Sequence, residues 1–150
     1  MIYMKASIIL GTLLLSLTSP STDADFSRLQ TALEQYGFKV KLETPPVREA
    51  YGLFQSKTKT IWINPIVFDL GIARPTLVHE AVHAAQFCYG KTEVQALGLE
   101  IEPPPMTRLY FMRYHSYTRQ IEAEAYTIQV QPDSVDLVIS LLNKHCQKKK

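Results

Sequence analysis

The sequence predicts an α+β domain, with a small antiparallel sheet packed on one buried helix and further helices after it. Three observations carry the prediction. "FKVKLE", residues 38 to 43, alternates strictly between apolar and polar positions, the period of a half-buried strand. "LVHEAVHAAQFCYG", residues 77 to 90, is apolar round most of a helical wheel, which marks a buried helix. Beyond it, apolar residues recur at helical rather than strand spacing up to the C-terminus.

The elements follow in order. "MIYMKASIILGTLLLSLTSPSTDA" places one early cation, Lys5, before an uncharged run from Ala6 to Thr18, and small and polar residues follow. That is the pattern of a signal peptide over 1–24, with Thr22 and Ala24 at the small-residue places of a cleavage site before Asp25. It implies a secreted or periplasmic chain. The alternative is an uncleaved anchor through residues 6–19, of marginal length for a bilayer. From Asp25 to Tyr36, the residues Phe26, Leu29, Leu33 and Tyr36 keep helical spacing, and Gly37 stops the helix. The alternating strand comes next.

After Pro45–Pro46, "REAYGLFQ" and "TIWIN" read as a hairpin through the polar turn "SKTK", and Pro65 closes the sheet region. The buried helix starts near Pro75, a residue favoured in a first turn, and ends at Gly90. Lys91 to Met106 is a connection ending in Pro103–Pro104–Pro105, which cannot continue a helix. Two helical stretches cover Thr107 to Gln131. Pro132 opens a last helix with Val135, Val138, Ile139 and Leu142 on its buried face. Nothing divides residues 25–147, which form one domain, and Lys148–Lys150 are a basic tail.

Charge and cysteine content narrow the possible functions. The 150 residues carry a net charge of +2. With the leader and the lysine tail set aside, 12 basic residues face 13 acidic ones. No basic stripe remains, so nucleic-acid binding has no electrostatic footprint. Cys88 and Cys146 are an even pair, in an exported chain a candidate disulfide that would pin the last helix to the back of the buried one. Two unlinked core thiols are the other reading.

The buried helix holds the chemistry. With His79 at zero on the wheel, His83 lies at about 40° and Gln86 at about −20°, so one stripe carries two imidazoles and an amide. Glu80 stands on the shoulder of that stripe. Buried titratable groups need partners, and a metal ion supplies one for all of them. Residues four apart on a helix bring two imidazole nitrogens to one ion, the reason His-Glu-x-x-His binds metal. The carboxylate between them is placed to take a proton from metal-bound water and pass it to a leaving amine.

Catalytic zinc usually has a third protein ligand. In "TRQIEAEAYTIQVQ", Glu122 shares a narrow seam with Thr118 and Gln129 between two apolar faces. Glu124 falls with Gln120, Thr127 and Gln131 on a polar stripe that reads as solvated. Glu122 is therefore the favoured ligand.

His79-Glu80-Ala81-Val82-His83 followed by Glu122-Ala123-Glu124-Ala125 resembles the zincin metallopeptidases of the gluzincin type. The resemblance covers about 80 residues, from the hairpin to the Glu122 helix. It implies zinc at His79, His83 and Glu122, with Glu80 as general base. It also implies a sheet whose edge strand, Thr60 to Asn64, would hold a peptide extended across the site. Several such families carry an acidic residue four positions after the glutamate ligand, to brace a zinc histidine. Here that position is Tyr126, which would brace more weakly, donate to an oxyanion, or simply pack. His115 and Tyr117, just ahead of Glu122, are candidate oxyanion donors.

The leading expectation is a small exported zinc peptidase acting on a peptide or protein substrate. A zinc-containing module that binds a polypeptide or envelope component without cutting it is the second. A domain using zinc only to hold its core together is the third. Glu80 favours the enzyme, because a purely structural site has no use for an acid there.

Overall fold

The computed structural model describes residues 22–112 and 116–148. The order is α1 (Thr22–Gln35), β1 (Lys39–Lys41), β2 (Gly52–Gln55), β3 (Thr60–Ile63), α2 (Ile66–Asp69), α3 (Ala73–Gly90), α4 (Pro105–Phe111), α5 (Ser116–Gln129) and α6 (Ser134–His145). The α+β class is the one the sequence predicts. Residues 1–21, most of the expected leader, lie outside the described residues, as do His115 and the side chain of Tyr117. Among the described residues, no helix is long and apolar enough to cross a membrane.

A helix with so little polar circumference must be surrounded, and α3 is. It touches α1, α5, α6, β2 and β3. Leu77, Val78, Ala81, Val82, Ala84 and Ala85 are wholly enclosed, and the alanines let neighbouring helices approach closely. Phe26, Leu29 and Leu33 pack from α1, Ala125 and Ile128 from α5, and Val135, Val138 and Leu142 from α6. Cys88 and Cys146 are bonded, so the end of α6 is fastened to the back of α3 and the unlinked alternative is set aside.

The sheet departs from the antiparallel expectation. It is mixed, in the order β1-β3-β2. β1 runs parallel to β3, with Val40 opposite Ile61, and β2 runs antiparallel to it, with Leu53 opposite Trp62. Alternation discloses which side chains share a face, but not the neighbour or direction of a strand. β1 also stops at Lys41, ahead of the expected residue 43, and Leu42 is exposed.

The hairpin itself forms, through a 3-10 turn at Ser56–Thr58 with Lys59 in the left-handed region (φ 50°). Because β3 is central, Thr60 to Asn64 cannot be the free edge the resemblance implied. That edge is β2, which lies against α3.

Between α3 and α4, residues 91–104 form neither helix nor strand and cross the molecule as a strap. Pro105 opens α4 rather than blocking it, since a first-turn residue needs no backbone donor.

Candidate metal centre

The i, i+4 spacing on α3 turns His79 and His83 toward the same point, and α5 crosses there with Glu122. His79 Nε2 and His83 Nε2 are 3.1 Å apart. Glu122 Oε2 lies 3.2 Å from the first, and Glu122 Oε1 lies 3.4 Å from the second. These three residues form a group that can hold a metal ion, as the sequence expected.

The protonation pattern fits that role. His83 Nδ1 faces Gln86 Oε1 at 2.8 Å, and His79 Nδ1 faces Gln129 Oε1 at 2.7 Å. An amide oxygen only accepts, so each Nδ1 carries the proton and each Nε2 lone pair is left facing Glu122. Glu122 Oε2 is fully enclosed and has no aligned hydrogen-bond donor among the described residues. Two converging lone pairs and a buried carboxylate oxygen call for a cation. Imidazole and carboxylate donors suit a divalent transition-metal ion.

Without metal, a proton takes the cation's part. Burial lowers the basicity of His83, but the Glu122 carboxylate and the charge of Glu80 outweigh it and hold the imidazole at about 9. Burial likewise raises Glu122, but the imidazoles of His79 and His83 dominate and hold its carboxyl at about 2.

Glu80 ligates nothing in this cluster, in keeping with its place on the shoulder of the wheel. It is buried beside the cluster, and burial pushes its carboxyl up despite the two histidines and a hydrogen bond from the Phe54 N–H. Asn64 donates to the Tyr51 carbonyl at 2.8 Å, so alternation in the antiparallel pair turns the backbone of Gly52 and Phe54 away from β3. The free edge of β2 therefore faces the cluster. Two hollows flank it, of about 480 Å³ beside Leu53, Phe54, Val94 and Ile121, and about 430 Å³ beside Tyr51, Pro75, Tyr126 and Gln129. Both include Gly52, His79 and Glu80, so the cluster sits in a groove along the strand edge.

One sequence reading changes here. Glu124 is not solvated. It is 6% exposed, because the strap covers that side of α5 and donates the Leu97, Gly98 and Leu99 N–H groups to its carboxylate. Gln86 and Gln129 brace the two imidazoles at Nδ1, and Tyr126 shows packing, one of the alternatives read from the sequence. Tyr126 packs its ring edge-on against His79, 4.6 Å between centroids, and stacks on Tyr110.

Helical spacing puts Gln86 on the histidine stripe and Gln129 in the Glu122 seam, which is the signal for their roles in the sequence. Compared with known proteins, the chain matches no family model, no curated protein and no solved structure.

Proposed function

We propose that this protein is a zinc-dependent peptidase, similar in its site to the gluzincin-type zincins. The observation that carries the reading is the meeting of His79, His83 and Glu122 beside a buried carboxylate, Glu80, that ligates none of them. A structural zinc site would close its fourth position with another ligand, and among the described residues no further His, Cys, Asp or Glu joins this one.

His79, His83 and Glu122 would hold the ion. Bound zinc supplies a Lewis acid that polarises a carbonyl and makes water acidic. Glu80 takes the proton from the attacking water and returns it to the leaving amine, completing amide hydrolysis. Burial raises its carboxyl above the usual carboxylate range, which strengthens it as a proton acceptor. The outward backbone groups of Gly52 leave the β2 edge open to an extended chain, which suits a peptide substrate.

The test is a peptide library incubated with wild type and Glu80→Gln, with products read by mass spectrometry and zinc by elemental analysis. Wild type should cleave. Glu80→Gln should keep its zinc while turnover falls by roughly 10²-fold or more. Zinc in both with cleavage by neither would replace the peptidase by a non-catalytic polypeptide-binding module. Absence of zinc from a folded wild type, with none taken up on addition, would sink the reading altogether.

A further inference from the structure

We infer that Glu124 is a positioning residue for the metal site, acting through Gln86 on His83. The inference rests on the metal reading of His79, His83 and Glu122, and adds to it a residue that ligates nothing.

The weak point of the site is the Gln86 amide. With its oxygen toward His83 Nδ1, the imidazole keeps its proton there and offers Nε2 to a metal. With its nitrogen toward Nδ1, the proton would move to Nε2. It would then be welcomed by the Glu122 carboxylate, and the imidazole could not ligate. Metal-free, the two arrangements compete, so something else must choose between them.

The choice is made at the other end of the amide. Gln86 Nε2 donates to Glu124 Oε2 at 2.8 Å and to the Ile121 carbonyl at 3.0 Å. Both partners only accept, so a flip would set oxygen against oxygen in a place with no water to relieve it, Gln86 being 0% exposed. Glu124 cannot turn away either. Leu97 N–H shares Oε2 at 2.8 Å, while Gly98 and Leu99 N–H hold Oε1 at 2.7 and 3.1 Å. The strap thus fixes the carboxylate, the carboxylate fixes the amide, and the amide fixes the tautomer of a ligand.

Glu124→Gln tests this in the full-length protein, since it keeps size but turns one acceptor into a donor. The new amide oxygen can satisfy Gly98 and Leu99, leaving its NH₂ against the Gln86 NH₂ and the Leu97 N–H. Flipping Gln86 relieves the first clash although its oxygen then meets the Ile121 carbonyl, so the unflipped amide is no longer enforced. Zinc affinity, read by competition with a chromophoric chelator, should fall 10- to 100-fold, the usual loss when a ligand's outer partner is removed. Gln86→Met should weaken binding similarly. The double variant should be no weaker than the worse single one, because both break the same relay.

Arg108→Ala is the control for a change that loosens the strap away from the relay. It removes the ion pair to Glu102, 3.7 Å away, without touching Glu124 or its donors, and it should bind zinc like wild type. Nitrogen-15 NMR of the metal-free protein, taken above the imidazole titration, should show His83 protonated at Nδ1 in wild type and at Nε2 in Glu124→Gln. Losses that multiply in the double variant, wild-type affinity in Glu124→Gln, or an unchanged His83 tautomer would overturn the proposal. Wild type binding no zinc would sink the metal reading instead, and the tautomer comparison would still decide this one.

Discussion

At Gly52 a single methyl group decides where Glu80, the proposed general base, can stand. A Cβ built there would lie 2.7 Å from Glu80 Oε1, 2.8 Å from Glu80 Cγ and 3.0 Å from Thr76 Cγ2. β2 is held by its pairing with β3, so Glu80 would have to move and give up the Phe54 N–H. Gly52→Ala should therefore keep its zinc, because none of the three ligands is touched, while kcat falls by roughly 10- to 100-fold. Full turnover with full zinc occupancy would show that the position of Glu80 is not critical.

The ligands themselves predict a proton linkage. His83 at about 9 is protonated in the metal-free protein at neutral pH, so binding zinc must expel that proton. Zinc affinity should rise about tenfold per pH unit between roughly pH 7 and 8.5 and level off above His83's titration. A flat profile measured in metal buffers would contradict the assignment.

The sign for metal-free stability follows. The raised His83 contributes fully below its ordinary 6.5, and this contribution is lost as pH rises through about 9. The lowered Glu122 contributes above its ordinary 4.5, and its contribution is lost as pH falls through about 2. Of these residues, His79, Glu80 and His83 were legible because a helix repeats locally, and Glu122 because its seam was narrow. Gly52 was not, since a glycine in a strand reads only as a weak strand former.

At the scale of elements, what was legible depended on whether periodicity alone decides the outcome. α1, α3 and α6 have one stripe or none that can face water, and their existence follows from that pattern. Strand pairing is a different kind of information. "FKVKLE" and "TIWIN" show what faces the core, yet nothing local says that β1 lies beside β3 and leaves β2 at the edge. The error mattered, because it moved the free edge beside the cluster from Thr60–Asn64 to Gly52–Gln55.

The strap had no periodicity to read, and its absence from the wheel picture is why Glu124 looked solvated. A wheel orders the residues of one helix relative to each other. It cannot report that Leu97, Gly98 and Leu99 arrive from outside with three N–H donors. Residues 91–104 are therefore as much a part of the site as the helices it joins.

Across the whole molecule, α3 is clamped twice, and the clamps share a loop. The Cys88–Cys146 bond closes 58 residues of chain and ties α3 to α6. The cluster of His79, His83 and Glu122 joins α3 to α5, and Glu122 lies inside the loop the disulfide closes. A loop of that size is worth about 4 kcal/mol by chain entropy, and zinc at a thousandfold excess over its Kd contributes a similar amount. Both act partly by restricting the same stretch of unfolded chain, so their effects should not add fully.

Urea unfolding of the full chain, with and without a chelator, separates the terms. Wild type should survive loss of zinc with a lower midpoint, held by the disulfide. Cys88→Ser/Cys146→Ser should remain folded with zinc but lose cooperative unfolding when chelated, because α5 and α6 then depend on packing against α3 alone. If the chelator left the midpoint of the cysteine-free variant where it was, zinc would not be clamping α5 to α3. The assignment of Glu122 as a ligand would then fall with it.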